Sequence, residues 1–383
     1  MRVSIDGLIL HGRYSGVETT VWRLVRALAT LGADAPEITL YAGRGFRAEG
    51  LGEAIRVRRT FFRAKRRTLR VLWEQLRLPV RARKDKAEVL HCPAYVMPLQ
   101  SPSLMPPVVL TAHDAIALAR PDLCRRSNVS YFSRFLPKSV KRATLVIAPS
   151  EAAADQLVRH AGAERENIRI VPWAPGEEFT PVSGREKQAA REALGLPERY
   201  LLFVGNLEPK KNLVRLVRAF VAARLNREFP QVLLIAGARA WGWRRVFGEV
   251  RGHGAADHIK FADYLDARAL PLVYRCAEAL LLPSLIEGFG LPVLEAMACG
   301  TPVLASDCPA LVETAGGAAL HVAAEDLPSL REGIERIAED AELRAELRKK
   351  GRARAAEFTW ERTARATLAV YREALETGDG GTA

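Results

Sequence analysis

The stretch 284-SLIEGFGLPVLEAMACGTPVLAS-306 decides how the rest of the chain reads. An apolar run, EALLLPS (278–284), leads into a loop with two glycines, and a second apolar run, PVLAS (302–306), closes the stretch. Between them LPVLEAMACG reads as a helix. Pro292 suits a first helical turn, where its missing N–H has no partner to lose, and Gly300 suits a helix stop. Strand, helix, strand is the repeating unit of a parallel sheet. Glu287 then lies in the loop and Glu295 in the first turns of the helix, so the two acids do not share one helix face. Gly288 and Gly290 leave room for a ligand near the backbone, and the helix amides favour an anion. A carboxylate there is suited to sugar hydroxyls, as the acid of dinucleotide folds is to a ribose. The plain alternative is a turn with charge on its surface.

The same rhythm runs through the chain. Apolar, β-branched runs recur at 2–6, 38–42, 88–93, 108–114, 144–150 and 168–172, then at 200–205, 231–237, 258–263, 278–284, 302–306 and 318–323. Continuous apolar runs belong to strands covered on both faces, which predicts an α/β fold with parallel sheets. Two sets of six runs fit two doubly wound Rossmann-like domains, and 383 residues exceed one ordinary core. The boundary lies in WAPGEEFTPVSGREKQAAREALGLPER (173–199), rich in Pro, Gly and charge. The predicted domains are 1–176 and 177–358. WERTARATLAVYREAL (360–375) places Ala364, Leu368, Tyr371 and Leu375 at helical spacing, giving a closing helix over 359–376. The tail 377–383 reads as disordered.

Composition narrows the class. Hydrophobic residues at 49% and charged residues at 26% are those of an ordinary globular protein. Five dispersed cysteines suit a reducing compartment and argue against a zinc site or a disulfide framework. MRVSIDGLIL reads as a first strand, not a signal peptide. No run reaches the roughly 18 apolar residues that span a bilayer. The expected location is cytoplasmic, or peripheral on the inner face of the plasma membrane. The net charge of +13 is concentrated: residues 56–86 hold thirteen Lys/Arg against Glu74 and Asp85, a local +11. Such a block, centred on Arg63, Lys65, Arg66, Arg67 and Arg70, can meet anionic lipid, an anionic acceptor or nucleic acid. It can also be a solvated helix face.

Three more loops follow strand ends, where open α/β sheets gather ligands. GRYSGVETTVWRLVRAL (12–28) is a glycine-containing loop, with a helix expected to open near Glu18–Thr19 and amides able to take a phosphate. It does not meet the GxGxxG fingerprint. TAHDA (111–115) sets His113 where it can donate to a sugar hydroxyl, with Asp114 orienting it, or simply bond the backbone. In 203-FVGNLEPKKNLVRLVRAF-220, Lys210, Lys211 and Asn212 sit at a helix start, where cations oppose the macrodipole. That placement points to an anionic ligand. No DxD pair occurs in the chain.

Taken together these residues resemble the retaining, family 4 glycosyltransferases of GT-B fold over essentially the whole chain. EGFGLPVLEAMACGTPVLAS resembles that family's E-x7-E signature, VGNLEPKKN its donor-diphosphate loop, AHD its histidine-bearing strand end, and SGVE its N-terminal glycine loop. WEQLRLP, HCPAYVMP and HDAIALARPD are similar to the bacterial mannosyltransferase-B-like branch. The resemblance implies a nucleotide sugar, GDP-mannose by family weight, in a cleft between the domains, with the last helix crossing back to the first. It implies that Glu295 takes the ribose, Glu287 the donor sugar, and Lys211 with Gly288, Phe289, Gly290 and Leu291 the diphosphate and sugar. His113 touches the transferred sugar and Gly16 belongs to the donor site. Asn206 stands where many relatives carry an arginine, which leaves Lys210 to substitute. Implied too are a glycan or lipid-linked acceptor, no cofactor, no metal and no nucleic acid. Two other readings share parts of the pattern: a nucleotide-sugar epimerase of the same fold, and a nucleic-acid-binding protein resting on the basic block.

Overall fold

All twelve apolar runs become strands in the computed structural model, which describes residues 1–12, 15–52, 54–100, 105–255 and 257–379. The first seven strands are β1 (Arg2–Asp6), β2 (Glu37–Ala42), β3 (Ile55–Arg59), β4 (Val89–Cys92), β5 (Val108–Thr111), β6 (Leu145–Ala148) and β7 (Ile168–Ile170). They form one sheet in the order β3-β2-β1-β4-β5-β6-β7. The second sheet holds β8 (Tyr200–Val204), β9 (Val232–Ala236), β10 (Ile259–Asp263), β11 (Ala279–Leu282), β12 (Val303–Ser306) and β13 (Leu320–Val322). Its order is β10-β9-β8-β11-β12-β13. Every pairing is parallel. The central strands β4, β5, β6, β11 and β12 are buried along their whole length, which is why they read as unbroken apolar runs.

The thirteenth strand, β3, escaped the sequence pattern. Its residues IRVRR open the basic block, and only Ile55 is buried. As an edge strand it needs apolar residues on one side at most, and its arginines discourage edge-to-edge pairing.

The chain divides into two compact units. One comprises Met1–Pro121, Arg126–Trp173 and the residues from Thr359 onward, and the other comprises Asp122–Arg125 and Ala174–Phe358. The last helix, Trp360–Asp379, therefore belongs to the first unit, far from its neighbours in sequence. Ala364, Leu368 and Tyr371 are buried along it, and the Tyr371 hydroxyl meets His91 Nδ1 at 2.7 Å. Thr363 Oγ1 donates to the Pro172 carbonyl at 2.8 Å, and Arg169 pairs with Glu373. The helix runs through 377–379, so the expected disordered tail starts too early; residues 380–383 lie outside the described residues. All five cysteines are free thiols.

Both sheets reverse strand order between their first strand in sequence and their fourth, at β1/β4 and at β8/β11. In open parallel sheets ligands settle outside the carboxyl ends of strands at such a switch point. That rule picks out two places, one per unit.

Candidate active site

In the second unit the loops after β8 and β11 meet. Pro209–Lys211 form one 3-10 turn, Asn212 takes a left-handed conformation (φ 59°), and the helix Leu213–Asn226 begins only then. Asn212 earns its place with its amide, which donates to the carbonyls of Pro283 and Ala324 at 3.1 and 2.7 Å. The Leu285 amide donates to the Lys210 carbonyl at 2.8 Å, clipping one loop to the other. Lys211 Nζ then donates to Glu287 Oε1 at 2.6 Å, with side chains only 13% and 10% exposed. Burial by itself raises the Glu287 carboxyl. The ammoniums of Lys211 and Lys210, with hydrogen bonds from Lys211 and Ser284, outweigh it and hold the group below the usual carboxylate range. The charge expected to face an anion at the helix start is thus matched by a glutamate from the neighbouring loop.

The glycines here are structural as well as permissive. Gly290 has φ 110°, and a Cβ on it would fall 2.5 Å from Leu311 Cδ2. A Cβ on Gly237, after β9, would stand 1.9 Å from the Gly205 carbonyl oxygen. The helix Leu291–Ala298 starts directly from Gly290 with no side-chain cap, and Pro292 is in its first turn. Phe289 is buried, its carbonyl accepting from Thr314 Oγ1 at 2.6 Å. The helix stops as read: Gly300 has φ 75°, and the amides of Gly300 and Thr301 return to the carbonyls of Met297 and Ala296. Glu295 lies a turn deeper and is 7% exposed, accepting from the Tyr274 hydroxyl at 3.1 Å. Burial and the Glu295 charge hold that phenol protonated. Asn206 is exposed in the turn after β8, and Lys210 lies 3.8 Å from Glu208.

The remaining predicted residues belong to the first unit. His113 Nε2 meets the Pro93 carbonyl at 3.0 Å, so that nitrogen carries the proton. Burial pulls the ring's pKa down, against the Pro93 hydrogen bond and the Asp114 charge, keeping it neutral. Nδ1 is then an acceptor, which corrects the expectation of a donor. Asp114 does not orient the ring either; its carboxylate takes the Tyr95 hydroxyl at 2.8 Å and the Ile116 amide at 3.0 Å. Gly16 is the first residue of the helix Gly16–Ala29, earlier than predicted, with open space where a side chain would go. Ser15 caps that helix, and the buried Glu18 carboxylate takes the amides of His11 and Ser15 at 2.9 and 3.0 Å. Arg13 and Tyr14 of that loop lie outside the described residues. Of the basic block, Arg63, Lys65, Arg66 and Arg67 are exposed. Arg70 turns inward, 3.4 Å from Glu74, and Arg67 lies over the Tyr131 ring at 4.2 Å.

Two family descriptions match this chain in succession: "Glycosyltransferase Family 4" over residues 14–174 and "Glycosyl transferases group 1" over residues 184–354. The chain belongs to glycosyltransferase family 4. Its fold is GT-B. The O-antigen chain mannosyltransferase B of Escherichia coli is 27% identical over 76% of this chain and 75% of its own length. The serotype-specific mannosyltransferase WbdA of Escherichia coli is 26% identical over 75% of this chain, which spans only 36% of that relative. Among solved structures, Anabaena HepE in complex with UDP and glucose superposes with a TM-score of 0.74 at 16% identity, over 97% of this chain and 100% of that one.

Within this family 4 chain, sequence reading missed the groups that hold the acids. Tyr274, on the helix Ala269–Cys276, carried no signal beyond an apolar helical pattern. The pairing of Lys211 with Glu287 was equally hidden, since the two come from different loops.

Proposed function

We propose that this glycosyltransferase moves a hexose, mannose from GDP-mannose, onto a glycan or lipid-linked glycan acceptor, with retention at the anomeric carbon and no metal. The observation that carries the donor assignment is the Lys211–Glu287 pair at the β8/β11 switch point, beside the uncapped start of the Leu291–Ala298 helix. Breaking the bond from the anomeric carbon to the diphosphate leaves negative charge on the nucleoside diphosphate. Lys211 and the helix-start amides are the groups suited to stabilise it. Glu287, kept ionised, receives sugar hydroxyls, and the buried Glu295 receives the ribose. Retention follows from front-face attack, in which the acceptor oxygen bonds the anomeric carbon and its proton passes to the leaving phosphate. His113 accepts a hydrogen bond from a hydroxyl of the transferred sugar through Nδ1.

The test is product analysis with GDP-mannose and an oligosaccharide acceptor, with and without EDTA. A mannosylated acceptor of retained configuration, formed in EDTA, supports all parts of the reading. An isomeric nucleotide sugar formed without acceptor would instead identify an epimerase.

The segment 56–86 has its own proposed partner, an anionic membrane surface. Phe61 is 78% exposed, and Leu72, Leu76 and Val80 are also exposed among the cations. Apolar side chains beside Lys/Arg suit insertion among acidic headgroups better than a nucleic-acid backbone. No described helix is long and apolar enough to cross a bilayer. Binding to DNA but not to anionic liposomes would reverse this assignment.

A further inference from the structure

The turn that follows β4, CPAYV (92–96), lies in the stretch HCPAYVMP, which the donor site does not use. Tyr95 has φ 70°, and across it the Val96 amide donates to the Ala94 carbonyl at 2.9 Å. Together these mark a γ-turn of the rare, strained hand. A tyrosine keeps such a backbone only where its surroundings enforce it, and residues so held cluster at functional sites. The side chain shows what the turn achieves. The Tyr95 amide donates to the Thr111 carbonyl at 2.9 Å, tying the turn to the end of β5, two residues before His113. The Tyr95 ring lies 5.1 Å from the His113 imidazole, and its hydroxyl donates to Asp114 Oδ2 at 2.8 Å. Trp173 also lies 5.6 Å from His113, and is itself stacked on Trp360 at 6.2 Å. The same turn supplies the Pro93 carbonyl that accepts from His113 Nε2 at 3.0 Å.

We propose that Tyr95 is a positioning residue for His113, its ring and the Pro93 carbonyl together holding the imidazole as the Nε2–H tautomer with Nδ1 as the acceptor. What this does for the sugar rests on the transferase reading; what it does for the ring rests on the geometry alone. A neutral imidazole has two tautomers, and the bond made by one nitrogen decides the state of the other. A carbonyl only accepts, so the Pro93 bond selects Nε2–H. The outer torsion of a histidine side chain is broad, so one hydrogen bond does not fix the ring plane. The aromatic surfaces of Tyr95 and Trp173 supply the missing restraint. Asp114 then acts at one remove, through the Tyr95 hydroxyl. Its two oxygens are engaged by that hydroxyl and by the Ile116 amide, which limits its pull on a second ring proton.

Long-range proton–nitrogen NMR of the histidine rings in the full chain tests this, because it tells a protonated ring nitrogen from a bare one. The His113 signal is the one missing from His113→Gln. Wild type should show Nε2 protonated and Nδ1 bare at neutral pH. Tyr95→Gly removes the ring while suiting the positive φ, so the turn survives, and a cooperative melt shows that the variant folds. In that variant the imidazole should exchange between both tautomers. Its kcat for hexose transfer should fall about ten- to hundred-fold with the donor KM nearly unchanged, as loss of alignment does. Tyr95→Phe keeps the ring and gives up only the tether to Asp114; it should hold the tautomer and restore most of the rate. A single Nε2–H tautomer in folded Tyr95→Gly, or wild-type kcat in it, would overturn the proposal. So would a Tyr95→Phe variant as impaired as Tyr95→Gly. If wild type turns over no hexose donor, the transferase reading fails, and the tautomer comparison alone decides the role of Tyr95.

Discussion

Lys211 and Glu287 make one contact that stabilises the loops and, on the proposed reading, also serves the donor. Truncating Lys211 to Ala removes the hydrogen-bonded counter-ion of a buried carboxylate, leaving the Lys210 charge beside it, and should cost up to about 3–5 kcal/mol, the range for broken buried pairs. Transferase activity should fall on the order of 100-fold or more, as when one donor to a developing oxyanion is removed. The double variant Lys211→Met/Glu287→Gln separates the two effects. Its melting temperature should return most of the way to wild type while activity stays lost. Glu74 gives a second expectation, a dependence of stability on pH. Its carboxyl is raised from 4.5 to about 8, chiefly by burial and next by the Asp6 charge. The folded state therefore holds the proton more tightly than the unfolded one, and the stability this brings is lost as pH rises through that window. Urea unfolding from pH 4.5 to 9 should show wild type losing stability relative to Glu74→Gln. Parallel curves would contradict the burial of this acid.

Elements were legible in proportion to how completely they are buried. Central strands such as ALLL (279–282) have both faces covered, so composition alone marks them. IRVRR (55–59) is an edge and reads as charge. Loops told residue type but not partner: SLIEGFG reads as a glycine-bearing turn carrying an acid, while its bond to Lys211 depends on strand order, which no local pattern encodes. Asp6 and Glu74 were invisible for the same reason, being far apart in sequence and joined by the fold. The Trp360–Asp379 helix was legible by periodicity, and its role follows from Tyr371, fully buried against His91. Tyr371→Ala should cost about 3–5 kcal/mol, the range of large aromatic truncations in cores. Tyr371→Phe should cost roughly 1–3 kcal/mol, by leaving the His91 nitrogen unpaired. Chemical denaturation of the two variants distinguishes packing from hydrogen bonding.

Across the whole molecule, each unit repeats one topology with different chemistry at its switch point. The second offers Lys211, Glu287 and a bare helix start; the first offers Tyr95, just after β4, with its ring beside His113. The +11 block at 56–86 lies in the first unit alone. Flotation with anionic liposomes should show binding at low ionic strength that weakens steeply with salt, because exposed charges are screened within about 10 Å at 0.1 M. Phe61→Ser should reduce that binding without changing the salt slope. The central claim, a nucleotide-sugar site at β8/β11, is tested most directly by thermal shift with GDP, UDP and ADP on wild type and on Lys211→Met/Glu287→Gln. One nucleotide at a hundred times its dissociation constant should stabilise wild type by about 2.7 kcal/mol and the double variant far less. No shift with any nucleotide, or equal shifts in both proteins, would contradict it.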